Sequence, residues 1–515
     1  MSIKKMPWIR RVSLARIDDS LVIPTVLYYE NKKPLIGREA RDRCVSPELL
    51  VEDFKIDLGD IDGTAIEPRS RSVEFTPRRT AVGLAKDFFD EALRKINEWL
   101  QVEGFALPSK ILIAEPLSLG AGSLANEAWL TNYRRSVRRA LPSGLKEVDF
   151  MPEPFAVFQY YRYGAGHPLV AEQRKHVALV LDFGGGTFDV SVVETTKQGD
   201  ISGSGINSRP LSAKSIPIGG FYINRIIAED FLFSVLEKRI DKSDVRKAIE
   251  HFYKNKSADE EYVSSLNNRQ VAFFRNYKRL LHVAELAKVS VCRAIANWSL
   301  TADLTASAPY PMQVPINPFS EKPEYANVRL DAAKLKKLFE ERIWNSRLRE
   351  TIGTTLIRAR NDLRGQEISL VLLSGGSSNI RWLKSLLERD LRKSLPEAQI
   401  LELNEDFQEI VAKGLATECA RRHYTEGQGD FRAVTYNRLC LALRPDDGDV
   451  EIRRFESLTE PLRKRSTPDR DSDEGVLLPA ASSLRGLIDQ PLRWRVRLSR
   501  PPRRHLEYLF HASLV

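Results

Sequence analysis

The chain has few cysteines and no long apolar run. Its 515 residues include four cysteines, and no two of them form a Cys-x-x-Cys pair; they are Cys44, Cys292, Cys419 and Cys440. This spacing excludes a cysteine zinc knuckle and a disulfide framework, and it is typical of a reducing cytoplasm. No apolar stretch approaches the roughly 20 residues that cross a bilayer, and the basic amino terminus lacks an apolar signal core. We therefore expect a cytoplasmic protein that does not insert into membranes.

Several common catalytic motifs are also missing. There is no Gly-x-x-x-x-Gly-Lys run, no His-Glu-x-x-His pair and no nucleophile elbow. P-loop nucleotidase, zinc protease and hydrolase functions therefore have no support. The net charge of +10 is modest for this length and does not by itself indicate a nucleic-acid partner. The length predicts two or more domains, and the hydrophobic content of 42% allows a sizeable core.

The most informative segment is a glycine turn between two strands. The apolar strand Val177–Leu181 runs into Asp182-Phe183-Gly184-Gly185-Gly186-Thr187-Phe188-Asp189, and the strand Val190–Val193 follows. Three glycines allow backbone N–H groups to converge on phosphate oxygens. The two aspartates would repel a bare anion, so they indicate phosphate accompanied by a divalent cation, most simply Mg-ATP. An ordinary glycine hairpin with solvated aspartates is the alternative.

A second glycine turn follows another apolar strand. Ile368–Leu373 leads directly into Ser374-Gly375-Gly376-Ser377-Ser378. Strands that feed glycine turns and helices predict an α/β fold with ligands at the carboxyl ends of the strands. The pattern also predicts a hairpin that turns at Asp18-Asp19 and a buried strand at Ile111–Ala114. Helices are predicted at 80–100, 126–140, 221–239, 243–254, 259–295, 331–347 and 349–362.

Nine segments, in the correct order over residues 23–420, resemble the DnaK-type heat-shock protein (seventy-kilodalton chaperone) family of the actin-like ATPase superfamily. The segments are Ile23–Val26, Leu35–Ala40, Glu52–Lys55, Ile113–Pro116, Met151–Ala156, Asp182–Asp189, Ile218–Gly220, Leu372–Ser377 and Val411–Ala416. The sequence of Asp182–Asp189 resembles that family's second phosphate motif, and Leu372–Ser377 resembles its adenosine motif. The chain looks like a divergent bacterial member.

The resemblance implies an α/β, actin-like two-lobed ATPase with duplicated ribonuclease-H-like lobes. The nucleotide-binding domain would span residues 1–425, with lobe I at about 1–170 plus a helix at 408–422 and lobe II at about 171–405. Residues 426–515 would form a small β-rich region with a charged, flexible stretch at 457–475. These residues are too few for the family's peptide-binding sandwich and helical lid.

The resemblance also implies a role for each matching residue. Asp182 would hold hydrated magnesium and align the attacking water, and Glu153 would touch the metal through water. Lys55 would stabilise the leaving charge, and the Thr187 hydroxyl would lie at the γ-phosphate. The remaining nucleotide contacts would come from Gly184, Gly185, Gly186, Gly219, Gly220, Glu285, Lys288, Gly375, Gly376 and Ser377. Structural alternatives remain open for three sites: a solvated lysine at position 55, a helix N-terminal carboxylate at 153, and a surface ion pair between 285 and 288.

The chain departs from the family pattern at two places. The family's first phosphate loop, Asp-x-Gly-Thr-Thr, should precede Ile23, and no segment there has that sequence. Either the true start lies further upstream or half of the phosphate cradle is lost, which would weaken ATP binding and hydrolysis. Val289 and Asn379 stand where the family places the arginines that sandwich adenine.

These observations favour a chaperone-like ATPase that binds Mg-ATP between two lobes and handles protein clients with co-chaperones, acting as a monomer. A nucleotide-sensing scaffold with little or no turnover is the alternative. A small-molecule kinase is disfavoured because no segment resembles a sugar-binding insertion. Nucleic-acid binding is also disfavoured. It would use the arginines between 493 and 504 with Trp494 and Tyr508. However, Leu492–Leu498 alternates apolar residues with arginine, which predicts a half-buried strand, and such arginines more often form the solvated face of an edge strand.

Overall fold

A computed structural model describes most of the chain. It covers residues 14–52, 54–59, 80–117, 124–145, 147–164, 175–196, 208–254, 267–305, 307–363, 365–401 and 407–424, and five strands after residue 438. The described residues form a mixed α/β structure, as the sequence predicts, and its strands belong to several separate sheets. No described helix has the length and apolar character that crossing a bilayer requires.

The described residues of the amino-terminal part form two small sheets and four α-helices. Its elements are β1 (Val26–Glu30), β2 (Lys33–Ile36), α1 (Gly37–Arg43), β3 (Val51–Glu52), α2 (Ala81–Val102), β4 (Lys110–Glu115), α3 (Leu124–Ala140), β5 (Glu147–Pro152) and α4 (Glu153–Gln159). The predicted turn is confirmed, since Ile17 bridges Ser20 while Asp18 and Asp19 have positive φ, which aspartate tolerates. The α2 helix begins at its N-cap Thr80, whose side chain accepts a hydrogen bond from Gly83 N.

One prediction for this part is wrong. The strand predicted to be buried at Ile111–Ala114 forms β4, but its residues are only half-buried. The only described strand that pairs with β4 is β5, in parallel register. Apolar residues on both faces are typical of a central strand, but a strand with one described neighbour retains solvent contact.

The central part is built on a five-stranded sheet. Its elements are β6 (Lys175–Phe183), β7 (Phe188–Thr196), β8 (Ser208–Ile216), α5 (Gly220–Val235), α6 (Lys242–Lys254), α7 (Asn268–Ala294), β9 (Tyr310–Pro315), β10 (Tyr325–Leu330), α8 (Ala332–Phe339), α9 (Arg349–Leu363), β11 (Leu370–Ser374), α10 (Trp382–Asp390), β12 (Gln399–Leu401) and α11 (Ile410–Tyr424). The sheet order is β12-β11-β6-β7-β8. β6 pairs antiparallel with β7 and parallel with β11, so β6 is central.

The residues of β6 explain this position. Val177–Leu181 is a continuous apolar run, and all five of its residues are buried. A strand enclosed on both faces needs such a run, because water reaches neither face. The helix predicted at 259–295 is confirmed from Asn268 to Ala294 and begins with a capping box between Asn267 and Gln270; residues 259–266 lie outside the described residues.

Five short strands are described in the carboxyl-terminal part. They are β13 (Leu439–Ala442), β14 (Val450–Arg454), β15 (Glu474–Leu478), β16 (Leu492–Leu498) and β17 (Leu509–Ala512). The strand predicted at 492–498 has the predicted bounds. It lies between β14 and β17, so the expectation of an edge strand is wrong. Most of the stretch predicted to be flexible, 457–475, lies outside the described residues, but Glu474 and Gly475 belong to β15.

Candidate functional site

The glycine turn between β6 and β7 has the hairpin geometry that its sequence predicts. Asp182 and Asp189 are register partners one pair before the end of the ladder. Gly184 N donates to Thr187 O at 2.9 Å and closes the turn. The Gly184 amide is therefore already engaged. The amides of Gly185 and Gly186 have no acceptor among the described residues, and they are the donors left for a phosphate.

A second glycine segment contacts this turn. Gly220 N donates to Gly184 O at 3.0 Å, and Phe221 N donates to Gly185 O at 2.9 Å. A Cβ at Gly219 would lie 2.4 Å from Gly185 O, so no other residue fits there without a shift of the backbone. The start of α5 is thus held against the turn.

The third glycine segment reaches the same place from β11. The Ser377 hydroxyl donates to Gly184 O at 2.8 Å. Gly375 has φ of 83°, and a Cβ there would lie 2.3 Å from Phe183 O and 2.6 Å from Asp182 Oδ1. Gly376 follows at the start of a short 3-10 turn. Three glycine segments that are distant in the sequence therefore converge at the carboxyl ends of β6 and β11.

Two charged side chains from the amino-terminal part form an ion pair. The ammonium of Lys55 donates to Glu153 Oε1. Burial lowers the pKa of Lys55, but the attraction of Glu153 and other anions outweighs burial and raises the pKa above its usual value. The side chain of Lys55 is 41% exposed, so solvent screens this pair in part. Lys55 is an ion-paired residue and not a freely solvated lysine.

The carboxylates of Asp182 and Asp189 are buried close to this pair. Burial, followed by repulsion from Glu153 and Asp189, raises the pKa of Asp182 well above its usual range. Burial, followed by repulsion from Glu153, raises the pKa of Asp189 to about 7, although hydrogen bonds from Thr187 and Leu117 oppose the shift. One oxygen of each aspartate is buried without a hydrogen-bond partner. Three carboxylates with one ammonium form a site that a cation would stabilise.

A magnesium ion fits this donor set only with water among its ligands. Carboxylate oxygens are the ligands that magnesium prefers, and it retains several waters. The unpartnered oxygens of Asp182 and Asp189 are suited to accept from those waters. Within the described part of the chain, no three acid, histidine or cysteine side chains are grouped closely enough to hold a metal directly. The carboxylates of this site therefore fit a magnesium ion that they would bind through its water ligands.

The pair predicted to bind ribose lies beside the second glycine segment. Lys288 Nζ donates to Glu285 Oε2 at 2.7 Å and to Gly220 O at 3.2 Å. Asn224 Nδ2 also donates to Glu285 Oε2, at 2.6 Å. Burial raises the pKa of Glu285, but Lys288 and Asn224 outweigh it and the net pKa is lowered. This pair is mostly buried and is not a simple surface ion pair.

Sequence reasoning missed Asn224 as a site residue, and it missed two contacts at the end of β4. Asn224 lies one helical turn after Gly220, and this spacing could have identified it. Leu117 N donates to Asp189 Oδ1 at 2.9 Å and joins the two parts of the chain. Glu115, with 0% exposure, is bound by two guanidinium nitrogens of Arg134. No local pattern marks these contacts, because their partners are distant in the sequence.

Comparison with known proteins points to one group. No family model matches the chain. The chain is similar to the chaperone protein DnaK of a Thermus thermophilus strain, with 22% identity over 479 residues, which cover 88% of this chain and 64% of the relative. DnaK of Mycoplasmoides gallisepticum is 22% identical over 459 residues, covering 89% and 62%. The chaperone protein dnaK1 of a Nostoc species is 25% identical over 417 residues, covering 79% and 51%.

These similarities establish a distant relationship to DnaK over most of the chain, which confirms the resemblance at that level. The chain spans less than two thirds of the length of these relatives. The bacterial assignment, the two-lobed arrangement and the domain bounds remain predictions.

Proposed function

We propose that this protein is a chaperone-like ATPase that binds Mg-ATP between two lobes and uses binding and hydrolysis to switch conformation for protein clients. One observation carries the proposal. Three glycine segments and two buried aspartates meet at the ends of β6 and β11, and Lys55 and Glu153 reach the same site from another part of the chain. The relatives are named chaperone proteins, which supports a role with protein clients.

The phosphate end of the nucleotide would bind at the first glycine turn. The amides of Gly185 and Gly186 would donate to phosphate oxygens, while Gly184 keeps the turn closed through Thr187 O. Phosphoryl transfer depends on positioning and on charge stabilisation more than on covalent chemistry. Backbone amides that the turn holds in place meet this need, because they do not have to reorient when negative charge develops in the transition state.

The charged side chains would bind the metal, orient the attacking water and stabilise the leaving phosphate. Bound magnesium would neutralise charge on the phosphate oxygens. Asp182 and Glu153 would hold its water ligands, and Asp182 would orient the attacking water. Lys55 would stabilise the charge on the leaving phosphate, with its ammonium held in place by Glu153. The hydroxyl of Thr187 would contact the γ-phosphate.

The nucleoside would lie at the other end of the same site. Glu285 and Lys288 would bind the ribose hydroxyls, with Asn224 orienting the Glu285 carboxylate. The segment with Gly375, Gly376 and Ser377 would lie against adenosine. Val289 and Asn379 cannot offer the flat guanidinium that stacks on a base, so we expect weak selection of the base.

A nucleotide-sensing scaffold without turnover is the second candidate. One observation favours it: the first glycine of the sequence is Gly37, so no glycine loop resembling a phosphate motif occurs in residues 1–36. In a protein without such a loop, phosphate would be held from one side only. Loss of several charge-assisted hydrogen bonds, each worth about 1.5–3 kcal/mol, would reduce turnover more than binding if those bonds form in the transition state.

Calorimetry and phosphate release together test both candidates. ATP is titrated into the full chain with magnesium and again with EDTA, and circular dichroism confirms folding in each buffer. Magnesium-dependent binding with phosphate release supports the ATPase. Binding without release supports the scaffold. A folded protein that takes up no ATP in the presence of magnesium contradicts both, and AMP serves as the control ligand that lacks the β- and γ-phosphates.

A further inference from the structure

Among the described residues, β9 and β10 form a sheet of two antiparallel strands. Their register is continuous over six residue pairs, from Tyr325 with Pro315 to Leu330 with Tyr310. No backbone hydrogen bond joins β10 to a described segment other than β9. The outer edge of β10 is therefore open in the part of the chain that the structure describes.

The register shows which residues present their backbone groups at this open edge. Ile316 N donates to Glu324 O at 2.9 Å, so these two residues form a hydrogen-bonded pair next to the ladder. Along an antiparallel ladder, hydrogen-bonded pairs alternate with pairs whose N–H and C=O groups point outward. Tyr325, Asn327 and Arg329 therefore direct their N–H and C=O groups away from β9.

The prolines of β9 agree with this assignment. Pro315 pairs with Tyr325, and Pro311 pairs with Arg329. Proline has no N–H group, so it is tolerated where the amide of an edge strand would point outward. The outer edge of β9 thus lacks two donors, whereas β10 contains no proline and presents a complete row of donors and acceptors.

β10 also lacks the other features that protect an edge strand. Exposed edges commonly carry lysine, proline or a bulge, or they are very short. β10 has six residues, none of them lysine, and its register contains no bulge. Its outward residues are accessible, since Tyr325 is 40% exposed and Asn327 and Arg329 are also exposed. Such an edge is suited to pair with a strand of another chain.

The exposed face of this hairpin carries one charge. The side chains of Tyr325, Asn327 and Arg329 share a face with their register partners in β9, which are two prolines and a glutamine. Arg329 is the charged residue of this set, and it forms no ion pair with another described residue. A strand added to this edge places one residue directly opposite Arg329, and an acidic residue is favoured there.

A groove begins where β10 ends. Its volume is about 1030 Å³, and it is lined by the loop that precedes β9, by Arg329, by α8 and by the π-helical segment Glu340–Leu348. π-helices are rare and frequently occur at functional sites. Besides Glu340, which pairs with Arg389, the groove contains three basic and three acidic residues, so it favours neither charge. A segment that pairs with β10 can continue into this groove with polar residues of either sign.

We propose that the open edge of β10 binds an extended, proline-free segment of a partner protein that carries an acidic residue opposite Arg329. The segment adds a third strand and exchanges backbone hydrogen bonds with Tyr325, Asn327 and Arg329. Its acidic residue forms an ion pair with Arg329, and a β-branched residue opposite Tyr325 packs on the ring. The backbone bonds provide affinity, and the two side-chain pairs provide selectivity.

A second copy of this chain is a less suitable occupant. The sequence of β10, Tyr-Ala-Asn-Val-Arg-Leu, contains no acidic residue. Two copies paired through this edge would therefore leave each Arg329 without an anion from the opposite strand. A different chain that carries the acidic residue meets this need.

Fluorescence anisotropy with the full-length protein tests this proposal. The probe is the labelled peptide Thr-Thr-Glu-Thr-Thr-Thr-Val-Thr-Thr. In an antiparallel pair its Glu, central Thr and Val lie opposite Arg329, Asn327 and Tyr325. The comparison peptide has the same side chains but carries N-methyl groups on those three residues, which removes the amide donors that face β10. We expect the first peptide to bind, and the second to bind at least about tenfold more weakly.

Two proline variants test the edge. Asn327→Pro removes an outward N–H group and keeps the ladder to β9, so peptide binding should fall about tenfold. Gln313→Pro is the matched control, because it makes the same change in the register partner of Asn327, on the outer edge of β9. It should bind the peptide normally. The melting temperatures of both variants confirm folding.

A charge exchange tests the side-chain contact. Arg329→Glu should bind the peptide about tenfold more weakly, because two like charges then lie opposite each other. It should bind a peptide with Lys in place of Glu, which the wild-type protein binds weakly. Recovery of binding when both charges are reversed shows that the variant is folded.

Five results would overturn the proposal. They are no binding of the unmodified peptide, equal binding of the N-methylated peptide, unchanged binding by Asn327→Pro, no binding of the Lys peptide by Arg329→Glu, and a dimer of the free protein in sedimentation that Asn327→Pro abolishes. The last result would identify a second copy as the occupant. β10 shares no residue with the nucleotide site. Failure here therefore leaves the ATPase proposal intact, and the binding expected here does not require ATP.

Discussion

Asp182 and Asp189 face each other across β6 and β7, and each has a buried oxygen without a hydrogen-bond partner. Burial is the largest cause of the raised pKa of both carboxyls. Two such groups side by side are unfavourable as a pair of anions unless a cation joins them. The two aspartates therefore connect the glycine turn with the cation binding that the proposed ATPase requires.

Asp182→Asn should abolish ATP turnover and leave the fold intact. The amide has almost the same shape, but it carries no charge to hold the water ligands of a cation. Phosphate release measures turnover, and the melting temperature reports folding. Asp19→Asn, at an exposed turn position with positive φ that asparagine also tolerates, is the matched control. Normal turnover in folded Asp182→Asn would falsify the assignment of this site.

The contribution of Asp189 to the stability of the nucleotide-free protein should fall as the pH rises from about 4 to about 7. The pKa of Asp189 is about 7 in the folded chain, against a usual value of 3.8. Between these two values the folded state binds more protons than the unfolded state, so raising the pH favours unfolding. Above pH 7 this contribution levels off.

Melting temperatures in EDTA at several pH values measure this effect. Asp189→Asn does not titrate, so the difference between the wild-type protein and this variant isolates the contribution of Asp189. A difference that stays constant from pH 4 to pH 7 contradicts the prediction. Because other groups also titrate in this range, the difference between the two proteins is the informative quantity.

Arg134→Met should destabilise the protein by about 3 kcal/mol. The substitution leaves the fully buried Glu115 without its cationic partner, and an uncompensated buried charge is costly. The double variant Arg134→Met/Glu115→Leu should recover most of this loss, since an apolar pair can replace a buried ion pair. Urea denaturation measures the free energy of unfolding for the complete double-mutant cycle. Additive losses in the double variant would show that the pair is not coupled.

Gly219→Ala should weaken ATP binding and reduce stability. Its Cβ would lie 2.4 Å from Gly185 O, so the glycine segments must separate. Gly353→Ala is the matched control, because a Cβ there meets no atom within 4 Å and the residue lies inside α9. The control should gain about 0.5–1 kcal/mol from helix propensity and bind ATP normally. Calorimetry and urea denaturation measure both properties; equal behaviour of the two variants contradicts the close contact.

The local sequence correctly predicted the strands and the turn from which the site is built. The apolar run Val177–Leu181, the three glycines and the second apolar run predicted β6, β7 and their turn, and the strand at 492–498 was predicted with its bounds. Such features depend on residues that are close in the chain. Strand alternation, helical spacing and the conformational freedom of glycine are all local properties.

Tertiary structure alone decided which of these elements meet. Leu117 N reaches Asp189, Arg134 reaches Glu115, and Ser377 reaches Gly184 over long sequence separations. The same holds for strand neighbours: alternation predicted a strand at β16 but not its central position, and an apolar pattern at β4 did not determine its burial. A residue pattern specifies which face of a strand is apolar, whereas the identity of its neighbours depends on the packing of distant segments.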